Sequence, residues 1–245
     1  MNAGLLVIIL LLGLAFLGFP IYIALGIGTL AALNMAGMPA LVLPQKLFAG
    51  MNSSSLLAIP FFILAGNIMS RSITVKLIDI ANAIIGWIRG SVAVVTVLAS
   101  ALFGAISGSG VATASAIGGI TIPAMQREGY PSEFSTAIAS ISSILGPIIP
   151  PSITLIVYAS ITNVSVSQLF MGSVIPGILL AGSLIVYALV YGKRKNLPAH
   201  EKQTPKQIGH AFKEGIWALL MPIIILGGIF GGIFTPTEAA AVAVV

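Results

Sequence analysis

The chain has 245 residues, 58% of them hydrophobic and only 7% charged, with a mean hydropathy of +1.10 and a net charge of +5. Soluble domains carry roughly 25% charged residues, so a soluble globule is excluded, and the long continuous apolar runs predict helices in a lipid bilayer rather than the ~10-residue alternating segments of a barrel. Cysteine is absent, which excludes disulfides, thiol nucleophiles and thiolate metal sites, and the cations concentrate in one loop, which follows the positive-inside rule and gives no nucleic-acid partner.

Leu5–Leu33 reads as a first span, with a kink expected at Gly18-Phe19-Pro20. No basic region or small-residue cleavage site precedes soluble sequence, so this is a retained span and not a signal peptide. Asn34–Gln45, with Gly37, Pro39 and Pro44, reads as a turn region, and Leu47–Met69 as a second span in which Asn52–Ser55 can cap a helix. Asn67, near its far end, reads first as a helix-end amide and second as a ligand.

Ile73–Ile88 is amphipathic and is either a short span or an interfacial helix, with Trp87 and Arg89 at headgroup level. Lys76 and Asp79, three apart, can pair on one helix face. Arg71, Arg89 and Arg127 read as interface anchors.

Phe103–Pro123, FGAISGSGVATASAIGGITIP, lies within apolar sequence yet is written like a loop. Ser107-Gly108-Ser109-Gly110 is a poor helix interior, because glycine costs about 1 kcal/mol there. Its flanks, Ser91–Ser107 and Val111–Met125, are each about 16 residues, fewer than the ~20 that a crossing needs. Arg89 and Arg127 put both ends on one, cytoplasmic, side. These features describe a re-entrant helical hairpin whose tip lies near the midplane.

Glu133–Leu145 re-enters and stops at Gly146-Pro147-Ile148-Ile149-Pro150-Pro151-Ser152, where three prolines and a glycine end a helix. Ile153–Ala159 resumes, so this is a broken membrane helix with freed carbonyls and N–H groups that need partners. Gln168–Tyr191 is a full span containing Pro176 and Gly177. Lys193–Lys213 is the basic, cytoplasmic loop, in which His200 and His210 read as solvated loop residues. Thr204–Trp217 reads as an interfacial helix, Ala218–Phe234 as a span, and Thr235-Pro236-Thr237-Glu238 opens a further helix. Leu5–Pro20 and Met221–Pro236 share a pattern, an apolar run closing on an aromatic or threonine before proline, as if a second repeat begins where the chain ends.

Broken helices at the midplane are how secondary transporters bind ions and anions: half-helix N-termini face anions and unwound carbonyls take sodium. The tip offers Ser107, Ser109, Thr113 and Ser115, and the break offers carbonyls around Gly146–Ile149 with the hydroxyls of Ser152 and Thr154. Oxygen ligands suffice for sodium. Small residues also serve helix packing, the first reading for Gly118-Gly119. An intramembrane protease lacks a base at depth, and a metal hydrolase lacks a cluster of Asp, Glu or His in the spans, so no enzyme is expected. A channel with a glycine-rich filter stays open as an alternative, as does a carrier independent of a binding protein.

FGAISGSGVATASAIGGITIPAM (Phe103–Met125), then REGYP and SSILGPIIPPSITLIVYA (Ser142–Ala159), closely resemble the large membrane subunit of TRAP (tripartite ATP-independent periplasmic) transporters. IPFFILAGNIM (Ile59–Met69) and GGIFTPTEAAAVAVV (Gly231–Val245) resemble it too. Gly110 departs from the family pattern, which often has a second serine there.

The resemblance implies an all-α, multi-pass, inverted-repeat elevator transporter of the bacterial inner membrane, of which this chain covers the first repeat and the start of a second. It implies scaffold helices over residues 1–90, a transport-domain hairpin and broken helix over 91–160, and a transmembrane helix over 161–192. A cytoplasmic loop and interfacial helix would cover 193–217, and a truncated second repeat 218–245. It also implies sodium-coupled import of organic acids, such as dicarboxylates or sialic acid, handed over by a periplasmic substrate-binding protein, with a small four-helix membrane subunit as partner. The coupling ion, Na+, is expected at Ser107, Gly108, Ser109, Gly146, Pro147 and Pro150. Substrate is expected at Ser109, Gly110, Thr113, Pro151 and Ser152.

Overall fold

A computed structural model of the chain describes residues 2–53, 55–199 and 202–244, with the backbone alone at 69–72. Among them every regular element is a helix, and the chain divides into two compact units, Met1–Ser53 and Ser54–Val245.

In the first unit, α1 (Ala3–Phe16) and α2 (Ile21–Met35) are separate helices. The expected single kinked span is therefore a hairpin. Gly18 takes a left-handed φ of +84°, its N–H bonds to Ala15 O (3.0 Å), and the Phe19 N–H reaches back to Leu14 O (3.0 Å). This closure satisfies the last carbonyls and reverses the chain, and Pro20 then caps α2 in extended geometry. The limbs return on each other closely: a Cβ on Gly28 would lie 3.3 Å from Val7 O. At 14 and 15 residues they are about 21 and 22 Å long, short of a ~30 Å hydrocarbon core. The turn region then contains helix α3 (Val42–Met51), with Pro44 in its first turn, where a missing N–H costs little.

The expected second span, Leu47–Met69, is also two pieces. Leu47–Met51 finishes α3, the chain leaves helical geometry at Asn52, and α4 (Ala58–Ile85) begins later. Asn52 and Ser53 do not cap it, because its N-cap is Leu57, without a side-chain bond; Ser54 lies outside the described residues. The polar run competes for the backbone and breaks the helix rather than starting one. α4 bends by 72° between Ala58–Ile68 and Ile73–Ile85. The Arg71 side chain lies outside the described residues. Lys76 and Asp79 do not pair with each other; both line a cavity described below.

α5 (Ser91–Ser107), α6 (Gly110–Thr113), a π-helical turn (Ala114–Gly118) and α7 (Gly119–Arg127) form the expected hairpin. Its limbs pack back on each other, with Phe103 and Ile106 against Ile117 near the tip and Val94 and Val97 against Met125 near the base. α8 (Ser132–Ser143), α9 (Leu145–Ile148) and α10 (Ile153–Thr162) form the broken helix, bent by 45°. α11 (Val166–Arg194) and α12 (Pro205–Phe230) have 29 and 26 residues, about 43 and 39 Å at 1.5 Å per residue, enough to cross a membrane.

α12 corrects two expectations. The interfacial helix and the following span are one helix, opened by a reciprocal cap in which Thr204 N donates to Gln207 Oε1 (2.8 Å) and Gln207 N to Thr204 Oγ1 (3.4 Å). His210 is solvated, but it is a helix residue 3.2 Å from Glu214, not a loop residue; His200 lies outside the described residues. α13 (Pro236–Val242) repeats this cap with Thr235 and Glu238.

The basic loop and both ends of the hairpin meet at one end of the second unit. Arg89 Nη1 donates to Asn196 Oδ1 (2.6 Å), Gly90 N donates to Pro198 O (3.2 Å), and Lys202 Nζ sits 4.5 Å from the Trp87 ring centroid. Tyr130, after the second limb, stacks on Phe134, which stacks on Tyr191 of α11.

Candidate functional site

The first limb ends because Gly108 adopts φ +60°, while its N–H still reaches Gly104 O (2.9 Å). Ser109 is extended and caps the second limb: its Oγ accepts from Ala112 N (3.3 Å). The turn is thus narrower than the four-residue loop expected. Ser107 is the last residue of α5 and Gly110 the first of α6. A left-handed glycine and a serine N-cap suffice to close one helix and open the next.

The break is also narrower. Gly146 and Pro147 remain helical in α9, and only Ile149–Ser152 leaves the helix, through a cis Pro150–Pro151 bond. Pro147, Pro150 and Pro151 have no N–H to give the carbonyls four residues earlier, those of Ser143, Gly146 and Pro147. Ser152 partly compensates. Its Oγ donates to Pro147 O (2.6 Å) and accepts from Leu155 N (3.3 Å), so it caps α10 as Ser109 caps α6.

Tip and break touch backbone to backbone. Ile153 N donates to Gly108 O (3.4 Å). A Cβ on Gly108 would lie 2.7 Å from Pro151 O, and one on Gly104 2.8 Å from Gly146 Cα. A Cβ on Gly146 would meet Ser109 O at 2.8 Å and Thr113 Oγ1 at 2.9 Å, and one on Gly110 Ser143 O at 3.2 Å. Any side chain at these glycines would push the two elements apart, which is the physical reason for glycine here.

The side-chain polar atoms at this contact are hydroxyl oxygens, and backbone carbonyls lie beside them. Thr113 Oγ1 donates to Ser109 O (2.8 Å) and lies 3.3 Å from Ser107 Oγ. Thr113 and Ser152 are fully buried and Ser107 nearly so. A hydroxyl that has given its hydrogen to a carbonyl keeps lone pairs for a cation. Among the described residues no three His, Cys, Asp or Glu side chains cluster. Hydroxyl and carbonyl oxygens are ligands of the kind that hard cations take.

The structure thus brings Gly108, Ser109, Gly110 and Thr113, with Ser107 beside Thr113, against Gly146, Pro147, Pro151 and Ser152, and Pro150 is joined to Pro151 within the break. It does not bring in Thr154, which is exposed on α10, or Ser115, which is exposed on the π-helical turn beside Asn67 and Thr74 of α4. Sequence reasoning missed Gly104 and Gly66. The latter sets α4 against the tip, since its Cβ would lie 3.2 Å from Ser107 Cα. Gly177 was read only as part of a span, yet a Cβ there would meet Ile149 Cγ1 at 2.9 Å. A glycine in an apolar run was the signal, but its partners are distant in sequence.

Residues 7–245 match the family described as tripartite ATP-independent periplasmic transporter, DctM component. The chain is 44% identical over 243 residues to the C4-dicarboxylate TRAP transporter large permease protein DctM of Vibrio cholerae, covering 98% of this chain and 54% of that protein. It is 42% identical over 229 residues to the isethionate TRAP transporter permease protein DctMQ of Oleidesulfovibrio alaskensis, covering 92% and 36%. It is 39% identical over 238 residues to the ectoine TRAP transporter large permease protein TeaC of Halomonas elongata, covering 96% and 56%. The chain spans about half the length of the large permease proteins among these relatives, 54% and 56%.

Proposed function

The chain belongs to the DctM component family of tripartite ATP-independent periplasmic transporters, transport proteins and not enzymes, and on that premise we propose that it forms the sodium-coupled half-site of an inner-membrane permease that imports organic acids. The observation that carries this reading is the glycine-mediated contact between hairpin tip and helix break, which encloses hydroxyl and carbonyl oxygens. Sodium, the coupling ion, would be held by Ser107, Gly108 and Ser109 from the tip and by Gly146, Pro147 and Pro150 from the break. A bound cation would neutralise the carbonyls that the prolines leave without helical donors. It would thereby tie the two elements together and complete the surface that meets substrate.

Substrate would rest on Ser109, Gly110, Thr113, Pro151 and Ser152. Two half-helices begin at Ser109 and Ser152, and their N-terminal N–H groups and dipoles favour an anion such as a carboxylate. The named substrates of the relatives, C4-dicarboxylate, isethionate and ectoine, differ, so this half-site sets a class rather than one compound. Delivery would come from a periplasmic substrate-binding protein, and a small four-helix membrane subunit would complete the scaffold; the name DctMQ of one relative fits a large and a small component joined in one chain.

The test is uptake into liposomes holding the assembled permease, supplied with its loaded binding protein. Uptake should require both an inward sodium gradient and the binding protein. Uptake that persists without sodium would point to a channel, and uptake without the binding protein to an independent carrier; either sinks the proposal.

A further inference from the structure

Two cavities lie end to end along the second limb of the hairpin. The smaller, about 460 Å³, is lined by Gly66, Asn67 and Thr74 of α4 and by Ala112, Ser115 and Ile120 of the hairpin. It begins beside the tip, where Gly66 backs onto Ser107. The larger, about 920 Å³, opens between α4, α7 and the start of α12, and its lining includes Ile120 again. It runs toward the basic end, past Glu128 at the end of α7. The gap exists because α4 packs along the first limb through Leu77, Ala81, Val95 and Phe103. It leaves the second limb uncovered near the 72° bend of α4 and the π-helical turn.

We propose that these cavities are one aqueous route by which substrate leaves the tip toward the cytoplasm, with Ile120 as the partition between them. The proposal rests on the transport reading above. The wide end carries Lys76, Lys206 and Lys213 with Asp79, Glu128 and Glu214. In a chain only 7% charged, so many ionisable groups around one space mark a hydrated cavity, because dry lipid-depth walls exclude them. The lysines attract an anion released at the tip, while the carboxylates keep it from being held, the balance that passage requires. The smaller cavity suits a small organic anion, since pockets of ~300 Å³ and above take such ligands. Ile120, 41% exposed, is the large apolar side chain among Ala112, Ser115, Ala116 and Ala124 on that limb, so its rotamer sets the width.

This chain contributes no cysteine of its own, so labelling of each single-cysteine variant is read against the same permease without it. Ser115→Cys, Ile120→Cys and Ala124→Cys in the complete permease should react with a membrane-impermeant thiol reagent from the cytoplasmic side. Val186→Cys, at an exposed apolar position on α11, should stay unreacted. Ile120→Trp should lose most of the initial rate of uptake and block labelling at Ser115→Cys, while Ile120→Ala keeps both. No labelling from the cytoplasmic side, as when lipid fills the gap, overturns the route. So does Ile120→Trp with unchanged labelling and uptake. Labelling needs neither sodium nor substrate, so sodium-independent uptake by a protein that labels as expected would sink the transport reading and leave the route standing.

Discussion

The chain makes two helical hairpins with the same backbone device and different consequences. α1 and α2 turn through Gly18 at φ +84°, and the limbs of the second hairpin turn through Gly108 at φ +60°. Among the described residues and apart from its chain neighbours, a Cβ on Gly18 would meet no atom within 4 Å, and the nearby Phe16 and Leu17 are exposed. Around Gly108 the break of another helix closes in, and buried hydroxyls replace the exposed apolar side chains. A glycine turn reverses the chain in either setting. What makes one of them a site is the second interrupted element packed against it.

The sharpest way to break this comparison is a side chain at each turn. Gly108→Ala should abolish sodium-driven uptake, because the new Cβ meets Pro151 O at 2.7 Å. Gly18→Ala should retain uptake and cost only the left-handed backbone penalty, about 1–2 kcal/mol, read as a fall in the unfolding midpoint in detergent. Equal effects on uptake would show that turn geometry alone matters.

A smaller effect is expected from removing one hydroxyl in each hairpin. Ser107→Ala removes a hydroxyl assigned to sodium, together with its contact to Thr113 Oγ1. A hydrogen bond is worth about 1 kcal/mol, so the half-saturating sodium concentration should rise roughly fivefold. Thr29→Val, in α2, removes an exposed bond to Leu25 O and should shift neither sodium dependence nor stability by more than about 0.5 kcal/mol. Ser152→Ala should destabilise by about 1 kcal/mol through the lost cap of α10, measured in denaturant.

The smallest effect is at the hairpin base. Burial pushes the Tyr130 hydroxyl up to about 12, although the Ala93 N–H is near enough to favour the ionised form. An unfolded tyrosine ionises near 10, so the contribution of Tyr130 is intact below that pH and fades as pH rises through the folded value. Tyr130→Phe should remove this alkaline component from a stability-versus-pH curve and leave uptake at neutral pH unchanged.

The two interrupted elements of the site were legible in the residues, because Ser-Gly-Ser-Gly and Gly-Pro-Ile-Ile-Pro-Pro cannot continue a helix cheaply. Their exact extents were not, since Ser107, Gly110, Gly146 and Pro147 all fit within helices once Ser109 caps α6 and Ser152 caps α10. Gly18-Phe19-Pro20 was read as a kink because an apolar run on both sides is compatible with either a bent span or a reversal; only the left-handed φ decides. The change from charged to apolar at Trp217 suggested two elements, yet a change of environment along one helix does not interrupt its hydrogen bonds. Gly108 and Gly146 were expected at one ion site, but the interlock they make with Gly104 was beyond reading from sequence, because close approach depends on segments that meet only in the folded chain.

The central claim, that hairpin tip and helix break together hold the coupling ion, is tested most directly by titrating sodium against uptake in the assembled permease, wild type beside Ser107→Ala. The account predicts uptake that vanishes without sodium and a half-saturating concentration several-fold higher in Ser107→Ala, with the maximal rate retained. Identical sodium curves for the two proteins would contradict it.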